Sequence, residues 1–251
     1  MLAALALTCL LAQAEGAPQP KVEEPPTRAV VKAFSDAEAR AAISAFHKIS
    51  AKASLADRLG GIETLVAGSH EKLVPILEKT VRADSSLAVR KKAAAALGDM
   101  PEKTAYPTVV KLLAQSSVGD MPELAEPLVR SLARVGYRDK DWDRIEGLFR
   151  AGYEPERVPV QRAVLALILE HKEKQAIHLL LDNLDEPLPA NVDHADNPPA
   201  EYWERRWKAW KVWRDDCKAA LQAVTGQKFG TADEAREWLK RHGKKNGFKG
   251  F

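Results

Sequence analysis

The stretch SSLAVRKKAAAALGDMPEKTAYPTVVKLLAQ, residues 85–115, decides the fold. Val89-Arg90 opens a helix, Ala93, Ala94, Ala95 and Ala96 fill it, Leu97-Gly98 closes it, and a second amphipathic helix follows Met100-Pro101. The alanines combine high helix propensity with small side chains that let a neighbouring helix approach closely. Gly98 suits the left-handed turn that ends a helix, and a proline soon after stops the helix from continuing. In the second helix Val109, Val110, Leu112 and Leu113 recur at helical spacing, while Lys103 and Lys111 fall off that stripe. A helix pair of this size buries only part of its apolar surface alone, so it needs a similar neighbour to stack on.

The flanking sequence repeats this phase. Arg58 precedes Leu65, and Arg162 precedes Leu169, by the same seven residues that separate Arg90 from Leu97. A looser copy runs from Met121-Pro122 through Leu128, Val129, Arg130, Leu132 and Val135-Gly136, its arginine one or two places out of phase. Second helices are expected over 71–83, 102–114, 140–151 and 172–183. That makes about four helix pairs with a period of roughly 30 to 40 residues. Ser35 and Glu38 have the spacing of a capping box, predicting a helix over 35–50 that closes the N-terminal edge.

The block resembles a HEAT repeat, whose first helix carries Val-Arg, spaced alanines and a terminal Leu-Gly, and whose second begins near a proline and ends in leucines. Here those residues are Val89, Arg90, Ala93, Ala96, Leu97, Gly98, Pro107, Leu112 and Leu113. The resemblance implies an all-α protein, a right-handed α-α superhelix forming a HEAT-like solenoid over residues 35–184. In such a stack Arg90 is a structural charge that bridges neighbouring turns.

At 251 residues and 45% hydrophobic the chain is able to bury a substantial core, and aromatics at 6% with no alternating β-branched runs argue against a sheet. Residues 1–14, MLAALALTCLLAQA, form an apolar run too short to span a bilayer and end in the small-x-small pattern Ala12-Gln13-Ala14. This reads as a secretory signal peptide, although no Lys or Arg stands near Met1, and it places the protein in the periplasm or secreted space. Lipid attachment at Cys9 is the weaker alternative, because Leu7-Thr8 departs from the usual pattern before a lipoprotein cysteine. Residues 15–34, with Pro18, Pro20, Pro25 and Pro26 among charges, read as an extended linker. Without the leader Cys217 is the only cysteine, expected to be buried on the helix face it shares with Trp213 and Leu221.

A loop over 185–200, with prolines at 187, 189, 198 and 199, ends the repeats. Its Asp193, His194 and Asp196 are metal-ligand types, but three polar residues in a loop are more simply solvated, so no metal or cofactor is expected. Residues 201–251 form a helical cap, and four of the six tryptophans, Trp203, Trp207, Trp210 and Trp213, stand at its start. One reading has all four cover the apolar edge of the last repeat. The other has Trp203, Arg205, Arg206 and Trp207 partly exposed as a partner-binding patch. Thr231 and Glu234 have capping-box spacing, with Ala235, Trp238 and Leu239 facing inward. Thr225, Gly226, Gln227, Phe229, Gly230 and the later Trp238 resemble the C-terminal segment that follows HEAT-like repeats in exported bacterial proteins of planctomycete type. Arg236 and Leu239 stand where those proteins carry further tryptophans, and the resemblance implies a scaffold without catalytic residues.

The net charge is +3, but residues 201–251 hold thirteen Lys/Arg against seven Asp/Glu, which leaves the rest of the chain slightly acidic. The expected function is a noncatalytic scaffold for protein-protein interaction in the cell envelope or secreted space. The alternative is a binding module for an anionic envelope polymer, and a HEAT-like lyase or other enzyme comes third. Bilin lyases share only the repeat character and work in the cytosol. A HEAT-like DNA glycosylase needs a basic groove, whereas the second helices mix Glu71, Lys72, Glu78, Lys79, Glu102, Lys103 and Lys111, so nucleic acid is not an expected partner. His47, His70, His171, His178 and His242 show no metal-ligand spacing such as HExxH.

Overall fold

Side chains cap the starts of α-helices at Ser35, Ser54 and Thr231. The structure, a computed structural model, describes residues 31–49, 53–189, 194 and 196–251. Among the described residues there are twelve α-helices and no strand, only an isolated parallel bridge between Ala33 and Ser69. Helix α1 (Asp36–His47) starts at the expected capping box: the Glu38 amide donates to the Ser35 hydroxyl at 3.3 Å, and the Ser35 amide donates to the Glu38 carboxylate at 2.7 Å. Just before it, Phe34 and Lys32 exchange backbone hydrogen bonds with Ser69, which ties this stretch to the helical body.

The following elements are α2 (Leu55–Leu65), α3 (Val74–Ala83), α4 (Leu87–Ala96), α5 (Glu102–Leu113) and the short α6 (Ser116–Gly119). They continue with α7 (Pro122–Val135), α8 (Trp142–Arg150), α9 (Val158–His171), α10 (Ile177–Asp182), α11 (Ala200–Thr225) and α12 (Ala232–His242). Single 3₁₀ turns at Glu71–Leu73, Asp139–Asp141 and Lys174–Ala176 lead into α3, α8 and α10. With those turns included, the second helices fall where the apolar periodicity predicts them.

Helices α2, α4, α7, α9 and α11 form a file in which each packs on the next. Beside it α3, α5, α8 and α10 pack against α4, α7, α9 and α11 respectively, and α1 covers α2. One apolar core runs along the seam, including Leu65, Leu77, Leu97, Leu112, Leu132, Ile168 and Trp213. Side chains of one layer satisfy polar groups of the next, which matters because helix ends leave backbone groups unpaired. Arg58 donates to the Asp84 carboxylate at 2.8 Å, Arg90 to the Val81 carbonyl at 2.7 Å, and the Ser131 hydroxyl to the Ala94 carbonyl at 2.8 Å. The Tyr106 hydroxyl donates to the Asp141 carboxylate at 3.0 Å and the Tyr137 hydroxyl to Glu173 at 2.6 Å.

Three local expectations are corrected. Gly98 takes no left-handed conformation, being in the tight turn Leu97–Asp99; a Cβ there would lie 2.7 Å from two nitrogens of the Arg134 guanidinium. That guanidinium donates to the Ala95 carbonyl at 3.0 Å, so the glycine leaves room for an inter-layer bond rather than shaping a cap. Leu169 is 39% exposed although Leu65 and Leu97 are fully buried, because α9 is covered by α7 and α11 and gives Val164, Leu165, Leu167 and Ile168 to the core instead. At α12 the Thr231 hydroxyl accepts from the Glu234 amide, but the Glu234 carboxylate accepts from the Gly230 amide at 2.7 Å, so the reciprocal half of the box is displaced by one residue.

Leu97→Asp places a carboxylate with no partner in this seam, a cost of several kcal/mol. Thermal unfolding followed by circular dichroism is expected to lose its cooperative transition, and an unchanged melting curve would remove Leu97 from the core.

Candidate functional site

Helix α11 is 26 residues long and carries two unlike sides. The inner side buries Ala209, Trp210, Trp213, Cys217, Ala220, Leu221 and Val224. Trp213 is fully buried and meets Phe149 edge to face at 5.3 Å. Its indole donates to the Gln161 side-chain oxygen at 3.0 Å, and the Gln161 amide in turn donates to the Gly152 and Phe149 carbonyls at 3.0 and 3.2 Å. The Trp210 indole donates to the Asn183 carbonyl at 3.2 Å. Cys217 is buried as expected, and desolvation pushes its thiol up to about 12. The thiolate needed for nucleophilic attack is therefore scarce at neutral pH.

The patch singled out in the sequence lies at the N-terminal part of α11, where Trp203 and Arg206 continue the buried stripe and Arg205 and Trp207 lie off it. Trp203 and Arg206 are half-buried, while Arg205 and Trp207 are exposed. The Trp207 indole donates to Glu186 at 2.5 Å, and the Lys211 ammonium stands 4.3 Å from the Trp207 ring centre. Arg206 donates to the Asp182 carbonyl at 3.1 Å and lies 5.5 Å from the Tyr153 ring and 5.6 Å from the Trp203 ring. Tyr202 meets Tyr153 and Trp203 edge to face at 5.7 and 5.3 Å. Burial raises the Tyr153 phenol, the adjacent Arg206 acting in the opposite direction, so it stays neutral. Among the described residues the Trp203 Nε1 and the Arg206 Nε are buried and have no hydrogen-bond partner.

Arg206 lines a cleft of about 610 Å³ together with Arg150, Tyr153, Tyr202, Glu186 and Arg236, with Leu188 72% exposed at its edge. The carboxylates of this cleft are already engaged. Asp182 pairs with Arg150 at 3.1 Å, Asp185 accepts the Ala232 amide with both oxygens at 3.1 Å, and Glu186 accepts from Trp207. Of the four patch residues Arg206 lines this cleft, whereas Trp203, Arg205 and Trp207 do not. Sequence reasoning missed Tyr153, Tyr202 and Arg236, which reach the cleft from the end of α8, from α11 and from α12. No local pattern marks Tyr153 and Arg236, because their elements meet only through the packing of α10 and α11.

Of the three loop residues weighed as metal ligands, His194 and Asp196 are described. Asp193 lies outside the described residues. His194 accepts the Asp196 amide at 3.3 Å, both side chains are largely exposed, and no group of three metal-ligating side chains converges among the described residues. No helix among the described residues is long and apolar enough to cross a membrane. No protein-family model, curated protein or solved structure matches the chain.

Two outcomes follow from the unlike sides of α11. Trp213→Ala is expected to cost about 3–5 kcal/mol in urea unfolding and Trp207→Ala about 1.5 kcal/mol or less, and equal costs would place Trp207 in the core. Iodoacetamide at mildly alkaline pH is expected to leave the Cys217 peptide unmodified in the native protein and to alkylate it once urea unfolds the chain; peptide mass mapping checks this, and native-state modification at the rate of a free thiol would contradict the burial.

Proposed function

We propose that this protein is a noncatalytic scaffold that holds a protein partner in the cell envelope or secreted space. In this reading the stacked helices continue as a right-handed HEAT-like superhelix over 35–184, and the cap presents Trp203, Arg205, Arg206 and Trp207. The observation that carries the reading is the ring of Trp207, exposed on α11 close to the exposed Arg205 and the Lys211 ammonium. Tryptophan and arginine are also the residues most often found to dominate protein interfaces. The location rests on residues 1–14, which lie outside the described residues.

Against an enzyme stands the state of the Cys217 thiol, buried and protonated, and the engagement of every carboxylate lining the cleft in an internal bond. The test is capture from an envelope fraction by the tagged chain, identified by mass spectrometry, with a Trp203→Ala/Arg206→Met/Trp207→Ala variant alongside. The variant is expected to lose a discrete protein at least tenfold while keeping its helical circular dichroism. Retention of that protein by the folded variant would move the contact elsewhere on the stack.

A further inference from the structure

A second surface lies at the end of the chain, away from the aromatic patch. Residues 238–251 carry Lys240, Arg241, Lys244, Lys245 and Lys249 and no Asp or Glu. Such a run is ordinarily a solvated tail, but here it is folded down. Phe248 is 4% exposed, and its amide donates to the Gly243 carbonyl at 3.0 Å. Phe251 stacks on His178 of α10 at 5.1 Å with the rings 14° from parallel. Lys174 donates to the Asn246 carbonyl at 2.9 Å and brings a further cation beside the run. Gly247 and Gly250 have φ of 79° and 86°, a left-handed backbone that glycine takes up without strain, and these two turns set Phe248 and Phe251 inward. Lys244, Lys245 and Lys249 stay exposed as a consequence.

The fold therefore converts a basic run into a fixed cationic surface. Of its five charged side chains Lys240 pairs with Glu237 at 2.6 Å, an exposed contact that water and salt screen. The large apolar side chains exposed among the described residues are Leu55, Leu87, Leu169, Leu188, Trp207 and Val212, none of them in the run. A bilayer would find nothing there to insert, so the complementary ligand is a soluble chain of charges. We propose that Lys244, Lys245 and Lys249, with Lys174 and Arg241, form a docking surface for a linear polyanion, a polymer bearing closely spaced carboxylate, sulfate or phosphate groups. None of these five cations lines the cleft beside Arg206. Several exposed cations acting together steer and hold such a polymer, and the binding weakens steeply as salt screens them.

The probe is fluorescent heparin titrated into the full chain at about 50 and about 150 mM salt, where the screening length shortens appreciably. The wild-type chain is expected to bind and to weaken at least fivefold at the higher salt. Lys244→Glu/Lys245→Glu/Lys249→Glu should lose at least tenfold, and a control with the same change in net charge on the exposed residues Lys79, Lys91 and Lys103 should lose less than threefold. Phe248→Ala, which frees the run without altering its charge, should weaken binding about threefold while α1–α11 keep their helical circular dichroism. Equal loss in the charge-matched control, affinity unchanged by Phe248→Ala, or tighter binding to phosphatidylglycerol vesicles than to heparin would each overturn the proposal.

Discussion

Every interior helix of the file must be apolar on two opposite sides, because each has a neighbour before it and another after it. Helix α7 shows the consequence: nine of its fourteen residues are buried, between α4 and α9. No helix of this kind is stable alone in water, so the stability of any layer is lent by its neighbours. The small residues Ala93, Ala94, Ala125 and Ala163 lie at these contacts and let the backbones approach. The dependence runs the length of the chain and makes its two ends the places that need a different solution.

Apolar stacking by itself leaves the layers free to slide, since it is not directional. The polar bonds between layers supply the register. Arg90 reaches the Val81 carbonyl, Ser131 the Ala94 carbonyl, Tyr106 the Asp141 carboxylate, and Tyr137 the Glu173 carboxylate. The last three link residues more than thirty positions apart in sequence but adjacent in the stack. Gly98 belongs to the same system, since its missing side chain is the space that Arg134 occupies.

The C-terminal end combines closure with exposure in one helix. Trp210 and Trp213 shut the core with indole hydrogen bonds to Asn183 and Gln161, which allows two large amphipathic rings to be buried without unpaired N–H groups. Trp203 and Arg206 continue the buried stripe toward the start of the helix and are half-buried, whereas Trp207 lies off it and is 36% exposed. The two readings of the tryptophan cluster therefore divide between its members: closure belongs to Trp210 and Trp213, and the binding proposal rests above all on Trp207.

What the sequence determined by itself was periodic and local. Apolar spacing located the second helices over 71–83, 102–114, 140–151 and 172–183, the Ser35-Glu38 spacing located the start of α1, and the shared face of Trp213, Cys217 and Leu221 located the buried side of α11, all within one or two turns of chain. Leu169, Gly98 and Glu234 were misjudged because their roles depend on what stands opposite: α7 and α11 over α9, the guanidinium of Arg134, and the amide of Gly230. The cleft beside Arg206 and the folding of the last residues onto α10 were decided by tertiary structure alone, because both join side chains from elements that have no contact until the stack has formed.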